Sequence, residues 1–199
     1  NDRPGVMLAG AVRAYLNRFG VAPGKQAVIF STHDDGGTTL ADLIVAGIGV
    51  AALVEVRGDV SAHTMALAKQ AGTRVFTDAR LVSVSGRHGV TAAEVVDASG
   101  RHTIVCDLIA MAGGWSPTLH LATHLGQRPR WDAGQAIFRP GTLPEGMAVV
   151  GAAAGIFDLA GCVRTGAEAG REAAEALGVS TPAIDPPAVE TIATGGKPF

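Results

Sequence analysis

The sequence predicts an α/β fold in which helices alternate with buried parallel strands, together with a small antiparallel meander. Three features predict this fold. Short continuous apolar runs, at 26–30 and 50–56, are typical of parallel strands buried on both faces. Segments with helical spacing separate these runs. After residue 80 the pattern changes to brief strands between glycine-containing turns.

The first part of the chain predicts an amphipathic helix followed by βαβ units. The stripe of this helix comprises Leu8, Ala11, Val12, Tyr15, Leu16 and Phe19, and Gly20 stops it. A polar loop at 31–37 and a helix at about 38–47 connect the strands at 26–30 and 50–56, which completes one βαβ unit. A weaker helix at about 61–71 and a strand at 74–76 continue the alternation.

The later part of the chain predicts the meander and then a strand, a turn and a helix. Strands at 81–84, 93–96 and 103–105 form the meander, and an apolar strand at 107–112 ends at two glycines. A Pro- and Gly-rich stretch at 128–146 precedes a strand at 147–150, a small-residue turn at 151–155 and an Ala-rich helix ending near Leu177. Residues 179–199 lack periodicity, which predicts a linker or mobile tail.

Composition excludes several classes of function. The 199 residues carry a formal net charge of −2, without a basic run that would bind nucleic acid or anionic lipid. No apolar run approaches the ~20 residues of a membrane span. Cys106 and Cys162 predict neither a disulfide framework nor a redox pair, which suits the cytoplasm. His120 and His124 lack a further ligand nearby, so no metal site is predicted.

The loop after the first predicted strand opposes dinucleotide binding. A dinucleotide fold needs the pattern G-x-G-x-x-G there, because the pyrophosphate must approach backbone amides at a helix N-terminus. On residues 31–36 the pattern keeps Gly36, but Ser31 and His33 replace the other two glycines. Asp34 and Asp35 add negative charge, which repels a phosphate by about 1 kcal/mol per contact pair even in water. We therefore expect no pyrophosphate at this loop.

Glu55 stands where a ribose-binding acid would lie, at the end of the second strand of the βαβ unit, and Arg57 follows beside it. Two interpretations stay open, a remnant of a ribose site or charged residues that merely solvate a strand end. The second is favoured, because a ribose acid without a phosphate cradle has little to orient.

Two glycine-containing turns predict a different place for a nucleotide. Small residues at the head of a helix allow close approach of an anion to its free N–H groups. Tight packing of a helix on a strand would need the same small residues, so composition leaves both interpretations open. The candidate lining residues are Gly113, Gly114, Ser116, Gly151, Ala152 and Ala153. The sequence presents no residue that we predict to be catalytic.

Four stretches resemble the alpha subunits of bacterial heterotetrameric sarcosine oxidases. They are residues 1–9, residues 15–18, residues 113–121 with their Gly-Gly-Trp-Ser-Pro start, and Arg130-Trp131-Asp132. The likeness extends over residues 1–178. It implies a glutathione-reductase-like FAD/NAD(P)-binding fold of Rossmann type, in which one nucleotide-binding domain is inserted into another.

The resemblance also implies a division into domains. Residues 25–111 are similar to the inserted NAD-binding-like domain, here with a degenerate fingerprint, and residues 1–24 and 112–178 to the closing part of the outer domain. The first βαβ unit of the outer domain and a folate-binding domain are missing, so we expect a piece of a longer protein. Related flavoproteins end their last strand in Gly-Asp; Ala152 in the aspartate's place argues against flavin there.

The function implied by the resemblance is oxidative demethylation of sarcosine to glycine, with formation of hydrogen peroxide and transfer of the one-carbon unit to tetrahydrofolate. The implied cofactors are NAD in the outer domain, FAD and FMN mainly in the beta subunit, and tetrahydrofolate in the missing domain. The implied partners are beta, gamma and delta subunits. Two alternatives stay open: a subunit of a related opine, cyanide-forming or amino-acid dehydrogenase, and a structural docking module that binds nothing.

Overall fold

A five-stranded parallel sheet forms the centre of the first of two units in the computed structural model, which describes residues 3–182 and divides between Gly114 and Trp115. Its elements are β1 (Val6–Leu8), α1 (Ala9–Phe19), β2 (Gln26–Ser31), α2 (Asp35–Val45), β3 (Gly49–Glu55), α3 (Ala62–Ala71), β4 (Arg74–Phe76), β5 (Arg80–Ser85), β6 (Ala92–Asp97), β7 (Gly100–Val105) and β8 (Leu108–Ala112). The parallel sheet has the order β1-β8-β2-β3-β4, and β5, β6 and β7 form the antiparallel meander.

Both faces of the parallel sheet are covered. Ala27 and Ile29 of β2 belong to the apolar cluster that includes Val12 of α1 and Leu40 of α2. Val28, on the other face of β2, packs in a second cluster with residues of the meander, among them Val95. This double burial is why the strands read as continuous apolar runs rather than alternating ones. The predicted α/β fold and the predicted meander are confirmed.

The secondary structure of residues 6–8 differs from the prediction, which places Leu8 in the first helix. They form β1, which pairs in parallel with β8 through Val6 and Ile109. A three-residue strand has no detectable period, so only its tertiary partner identifies it. The first residues therefore belong to the same unit as the central sheet. Their predicted assignment to an outer domain of a longer protein stays a prediction.

Helix α2 begins earlier than the expected position near residue 38. It starts at Asp35, directly after Asp34, and thus includes three of the residues predicted to lie in the polar loop, 35–37. Gly36 and Gly37 obscure the start, because glycine disfavours a helix in general and here is tolerated for packing.

The second unit contains a short helix α4 (His120–Thr123), a hairpin of β9 (Arg130–Asp132) and β10 (Ile137–Arg139), a 3-10 turn (Gly151–Ala154) and the long helix α5 (Leu159–Ala176). The hairpin lies in the stretch predicted to be irregular. The predicted strand at 147–150 was wrong: Val150 has an extended backbone, but within residues 3–182 no strand pairs with this segment.

The expected tail lies mostly outside the described residues, since 183–199 are not described. Residues 179–182 have no regular secondary structure. Within the described part of the chain, no helix combines the length and apolar character that crossing a membrane requires.

Candidate functional site

The loop between β2 and α2 is packed too tightly for a dinucleotide to approach its backbone. Ser31 is fully buried, and its hydroxyl donates a hydrogen bond to the carbonyl oxygen of His33. A Cβ atom on Gly36 would lie 2.5 Å from Oγ of Ser31. Gly36 thus keeps the role of the third fingerprint glycine, close packing of helix on strand. Ser31 and His33 fill the space that the other two glycines would leave for a phosphate.

His33 is the most buried ionisable side chain of this loop, with 7% of the side chain exposed. Its Nε2 lies 3.5 Å from an oxygen of Asp35, in ion-pair range but without hydrogen-bond geometry. Its Nδ1 lies 3.5 Å from Oγ1 of Thr32. The imidazole therefore occupies the turn as a packed side chain, beside the two carboxylates at the start of α2.

Arg57 contacts two acids, Glu55 at the end of β3 and Asp34 before α2. Its Nε and Nη2 contact the two carboxylate oxygens of Glu55 at 2.9 and 3.0 Å, and Nη2 also donates to Asp34 at 2.9 Å. Glu55 is 2% exposed. Its hydrogen bonds and charge, together with those of Asp34, raise the pKa of the Arg57 guanidinium above its usual range. Glu55 is thus bound by the chain's own arginine, which the interpretation as a simple solvated strand end did not foresee.

A shallow depression lies at the carboxyl ends of β2 and β3. Asp34, Arg57 and Ser61 line it, and its cavity volume is about 10 Å³, which leaves room for about one water molecule. Pockets that bury a drug-sized ligand usually measure ~300–1,000 Å³. The space, the negative charge and the absence of two glycines all oppose a pyrophosphate here.

The first two candidate residues, Gly113 and Gly114, follow β8 at the end of the first unit. Both are exposed, and a Cβ on Gly113 would meet nothing within 4 Å. Gly114 has a φ of +107°, which an L side chain rarely adopts. Gly114 is therefore required for the backbone path, whereas Gly113 leaves open space beside the strand end.

The other four candidates lie in the second unit. Ser116 and Ala152 are exposed and Ala153 is half-buried. Gly151 is buried, donates its N–H to Oγ1 of Thr165 at 3.3 Å, and would bring a Cβ to 3.3 Å from Sγ of Cys162. Gly151 thus packs the turn against α5. That these six residues line a nucleotide site stays a prediction.

The amino end of α5 already holds a carboxylate. The helix begins eight residues after Gly151, so Ala152 and Ala153 are not at its head as expected. Asp158 caps it by accepting the N–H of Gly161 at 2.7 Å. Because this aspartate satisfies a free N–H and neutralises the positive helix end, the end is a poor site for a phosphate.

Arg139 was missed by the sequence analysis. It donates to Asp132 at 2.7 Å and to the carbonyl oxygen of Ala154 at 2.6 Å, and so ties the hairpin to the 3-10 turn. No motif marks it, since the hairpin itself was not predicted. Among residues 3–182, no group of three or more His, Cys, Asp or Glu could hold a metal ion.

Comparison with known proteins shows extended sequence similarity to one kind of oxidoreductase subunit. The chain is 41% identical over 185 residues to sarcosine oxidase subunit alpha of Rhizobium meliloti (strain 1021). The aligned region covers 92% of this chain and 18% of that protein. It is 37% identical over 206 residues to the subunit of the same name from Corynebacterium sp. (strain P-1), covering all of the chain and 21% of that protein. The chain thus spans about a fifth of these relatives, and the predicted resemblance is confirmed. No protein-family model matches.

Solved structures confirm the Rossmann-type fold. L-proline dehydrogenase from P. horikoshii superposes with a TM-score of 0.60 at 17% identity, over 92% of this chain and 32% of that one. Thioredoxin reductase of T. acidophilum superposes with a TM-score of 0.54 at 12% identity, over 76% of this chain and 53% of that one. At these identities the likeness concerns the fold alone.

Proposed function

We propose that this chain is a stretch of the alpha subunit of a multi-subunit sarcosine oxidase. The observation that carries the proposal is the 41% and 37% identity to two such subunits over nearly the whole chain. The parallel sheet, covered by helices on one face and the meander on the other, supports membership in a nucleotide-dependent oxidoreductase. The inferred partners are beta, gamma and delta subunits, and the inferred location is the cytoplasm.

The inferred reaction removes two electrons from the N-methyl group of sarcosine. Oxygen takes up the electrons and becomes hydrogen peroxide, the resulting imine yields glycine, and the one-carbon unit passes to tetrahydrofolate. FAD and FMN would supply the redox chemistry from the beta subunit. No described residue has the geometry of a general base or nucleophile beside a ligand-sized cavity, so we place catalysis outside this chain.

The contribution of this chain would be scaffold and part of an NAD site. The packed β2–α2 loop opposes a nucleotide at that loop, which favours the other candidates, Gly113, Gly114, Ser116, Gly151, Ala152 and Ala153. Gly113 and Ala152 are the most informative of these, because both are exposed and no described contact requires their small size. Substitution of either residue by Leu should weaken NAD binding in the longer protein and leave the melting temperature nearly unchanged.

A docking module without any ligand is the second candidate function. The specific observation in its favour is that the two helix starts at which a fold of this type could bind an anion both carry carboxylates, Asp34 and Asp35 at α2 and Asp158 at α5. A subunit of an opine, cyanide-forming or amino-acid dehydrogenase is a further alternative with the same architecture. The sequence identities favour sarcosine oxidase over it.

The deciding experiment is purification of the longer protein together with its partner subunits. Sarcosine-dependent release of hydrogen peroxide, with formation of methylenetetrahydrofolate when tetrahydrofolate is present, is the expected result. Proline and opines serve as competing substrates, and faster turnover of either would overturn the sarcosine assignment. Calorimetry with NAD on the Gly113→Leu and Ala152→Leu variants of the same assembly then separates the NAD scaffold from the docking module, since the module predicts binding equal to that of the unsubstituted protein.

A further inference from the structure

We propose that the depression at the ends of β2 and β3 is a guanidinium-binding site that the chain's own Arg57 occupies, and that this arginine joins the β2–α2 loop to β3. In dinucleotide folds a bound nucleotide connects these same two places, the glycine-rich loop and the acid at the end of the next strand. The inference goes beyond the proposed function and is independent of it, because it concerns only the first unit.

The contacts of Arg57 fit the shape of a guanidinium group. The guanidinium makes a two-point contact with Glu55, through Nε and Nη2, and uses Nη2 again for Asp34. The planar guanidinium group presents its donors in a fixed fork that matches a carboxylate, whereas an ammonium group offers a single point charge. Lining by two carboxylates at hydrogen-bond distance therefore selects a guanidinium over other cations.

Both side chains of this ion pair are largely buried. The side chain of Glu55 is 3% exposed and that of Arg57 is 12% exposed. A buried carboxylate without a partner is strongly unfavourable, and breaking a buried pair by removing one partner destabilises far more than losing a surface pair. The raised pKa of Arg57 agrees with a cation held by two acids.

The ladder between β2 and β3 ends just before the β2–α2 loop. Ser31, the last residue of β2, pairs with Glu55, and its carbonyl oxygen accepts the N–H of Val56 at 3.0 Å. Arg57 adds a link to Asp34, the residue that immediately precedes α2. Removal of the arginine should therefore loosen the start of α2 and leave an open site with two carboxylates.

The test is chemical rescue of Arg57→Ala, with Arg101→Ala as the matched control. Arg101 pairs with Glu94 on the exposed meander of the same unit, with 62% of its side chain exposed. The melting temperature should fall by roughly 5–15 °C in Arg57→Ala and by less than about 2 °C in Arg101→Ala. Methylguanidinium chloride at about 20 mM, compared with equal sodium chloride, should raise the melting temperature of Arg57→Ala alone. Methylammonium should raise it less.

Two results would overturn the proposal. One is a melting temperature of Arg57→Ala that is no lower than that of Arg101→Ala. The other is an equal change in melting temperature, caused by methylguanidinium, in the unsubstituted chain, Arg57→Ala and Arg101→Ala. If Arg57→Ala does not yield folded protein, Arg57→Lys and Asp34→Asn carry the test. Both should melt below the unsubstituted chain, because each retains only part of the contacts. Melting of both within about 1 °C of it would equally reject the site.

Discussion

A Cβ atom on Gly36 would lie 2.5 Å from Oγ and 2.6 Å from Cβ of Ser31, closer than real Cβ atoms approach their neighbours. Ser31 cannot easily move away, because it is fully buried and hydrogen-bonded to His33. The one fingerprint glycine that this chain retains is therefore the one that packing requires. The two that a pyrophosphate requires have been replaced.

Gly36→Ala should destabilise the first unit by about 2–3 kcal/mol, since the added methyl group overpacks a rigid contact. Urea unfolding followed by circular dichroism measures the change. Gly10→Ala is the matched control, because Gly10 lies in α1 with nothing within 4 Å of an added Cβ. It should cost nothing and gain up to ~1 kcal/mol from helix propensity. Equal stabilities of the two variants would contradict the packing role of Gly36.

Asp97, in the turn between β6 and β7, should titrate at a lower pH than an ordinary aspartate. The hydroxyl of Ser99, followed by His102, lowers the pKa of Asp97 to about 2. Because the pKa of Asp97 is lower in the folded chain than its ordinary value of 3.8, the ionised carboxylate stabilises the fold at pH values above about 4. This contribution is lost as the pH falls from about 4 towards 2. Ser99→Ala should raise the pKa of Asp97, measured by NMR titration of its carboxyl carbon. Glu94, whose pKa is lowered first by the hydroxyl of Ser83, is the internal control and should not change.

The two thiols should differ in reactivity. Burial, together with the charge of Asp107, raises the pKa of Cys106 to about 11, so little thiolate forms at pH 8. Cys162 is only half-buried, with its thiol hydrogen-bonded to the carbonyl oxygen of Ile156 at 3.1 Å. A disulfide reagent should therefore modify Cys162 first, and the Cys162→Ser chain should react only on unfolding. Rapid reaction of folded Cys162→Ser would show that Cys106 is accessible.

The cap of α5 should contribute measurably to the second unit. Asp158→Ala removes the acceptor for the N–H of Gly161, and we expect the free energy of unfolding to fall by about 1 kcal/mol. Asp158→Asn retains an acceptor and should lose less. Both tryptophans, Trp115 and Trp131, lie in the second unit, so intrinsic fluorescence during urea unfolding reports on it. A smaller loss for Ala than for Asn would contradict capping.

The candidate sites were only partly predictable. The broken fingerprint was visible in the sequence, because the glycine pattern is local and its spacing is fixed. The link from Arg57 to Asp34 was not, since 23 residues separate them and their meeting depends on β2 lying beside β3. The six candidate lining residues were chosen by composition. The buried packing of Gly151 and the cap at Asp158 appear only where α5 folds back on the turn.

The sequence alone determined the alternation of helices and parallel strands and the meander, because periodicity and turn residues act over a few neighbouring positions. The tertiary structure decided which extended segments become strands. Residues 6–8 pair with β8, whereas 147–150 are extended at Val150 but find no partner in the described chain. A strand exists only when another strand satisfies its backbone hydrogen bonds, and that partner lies far away in sequence.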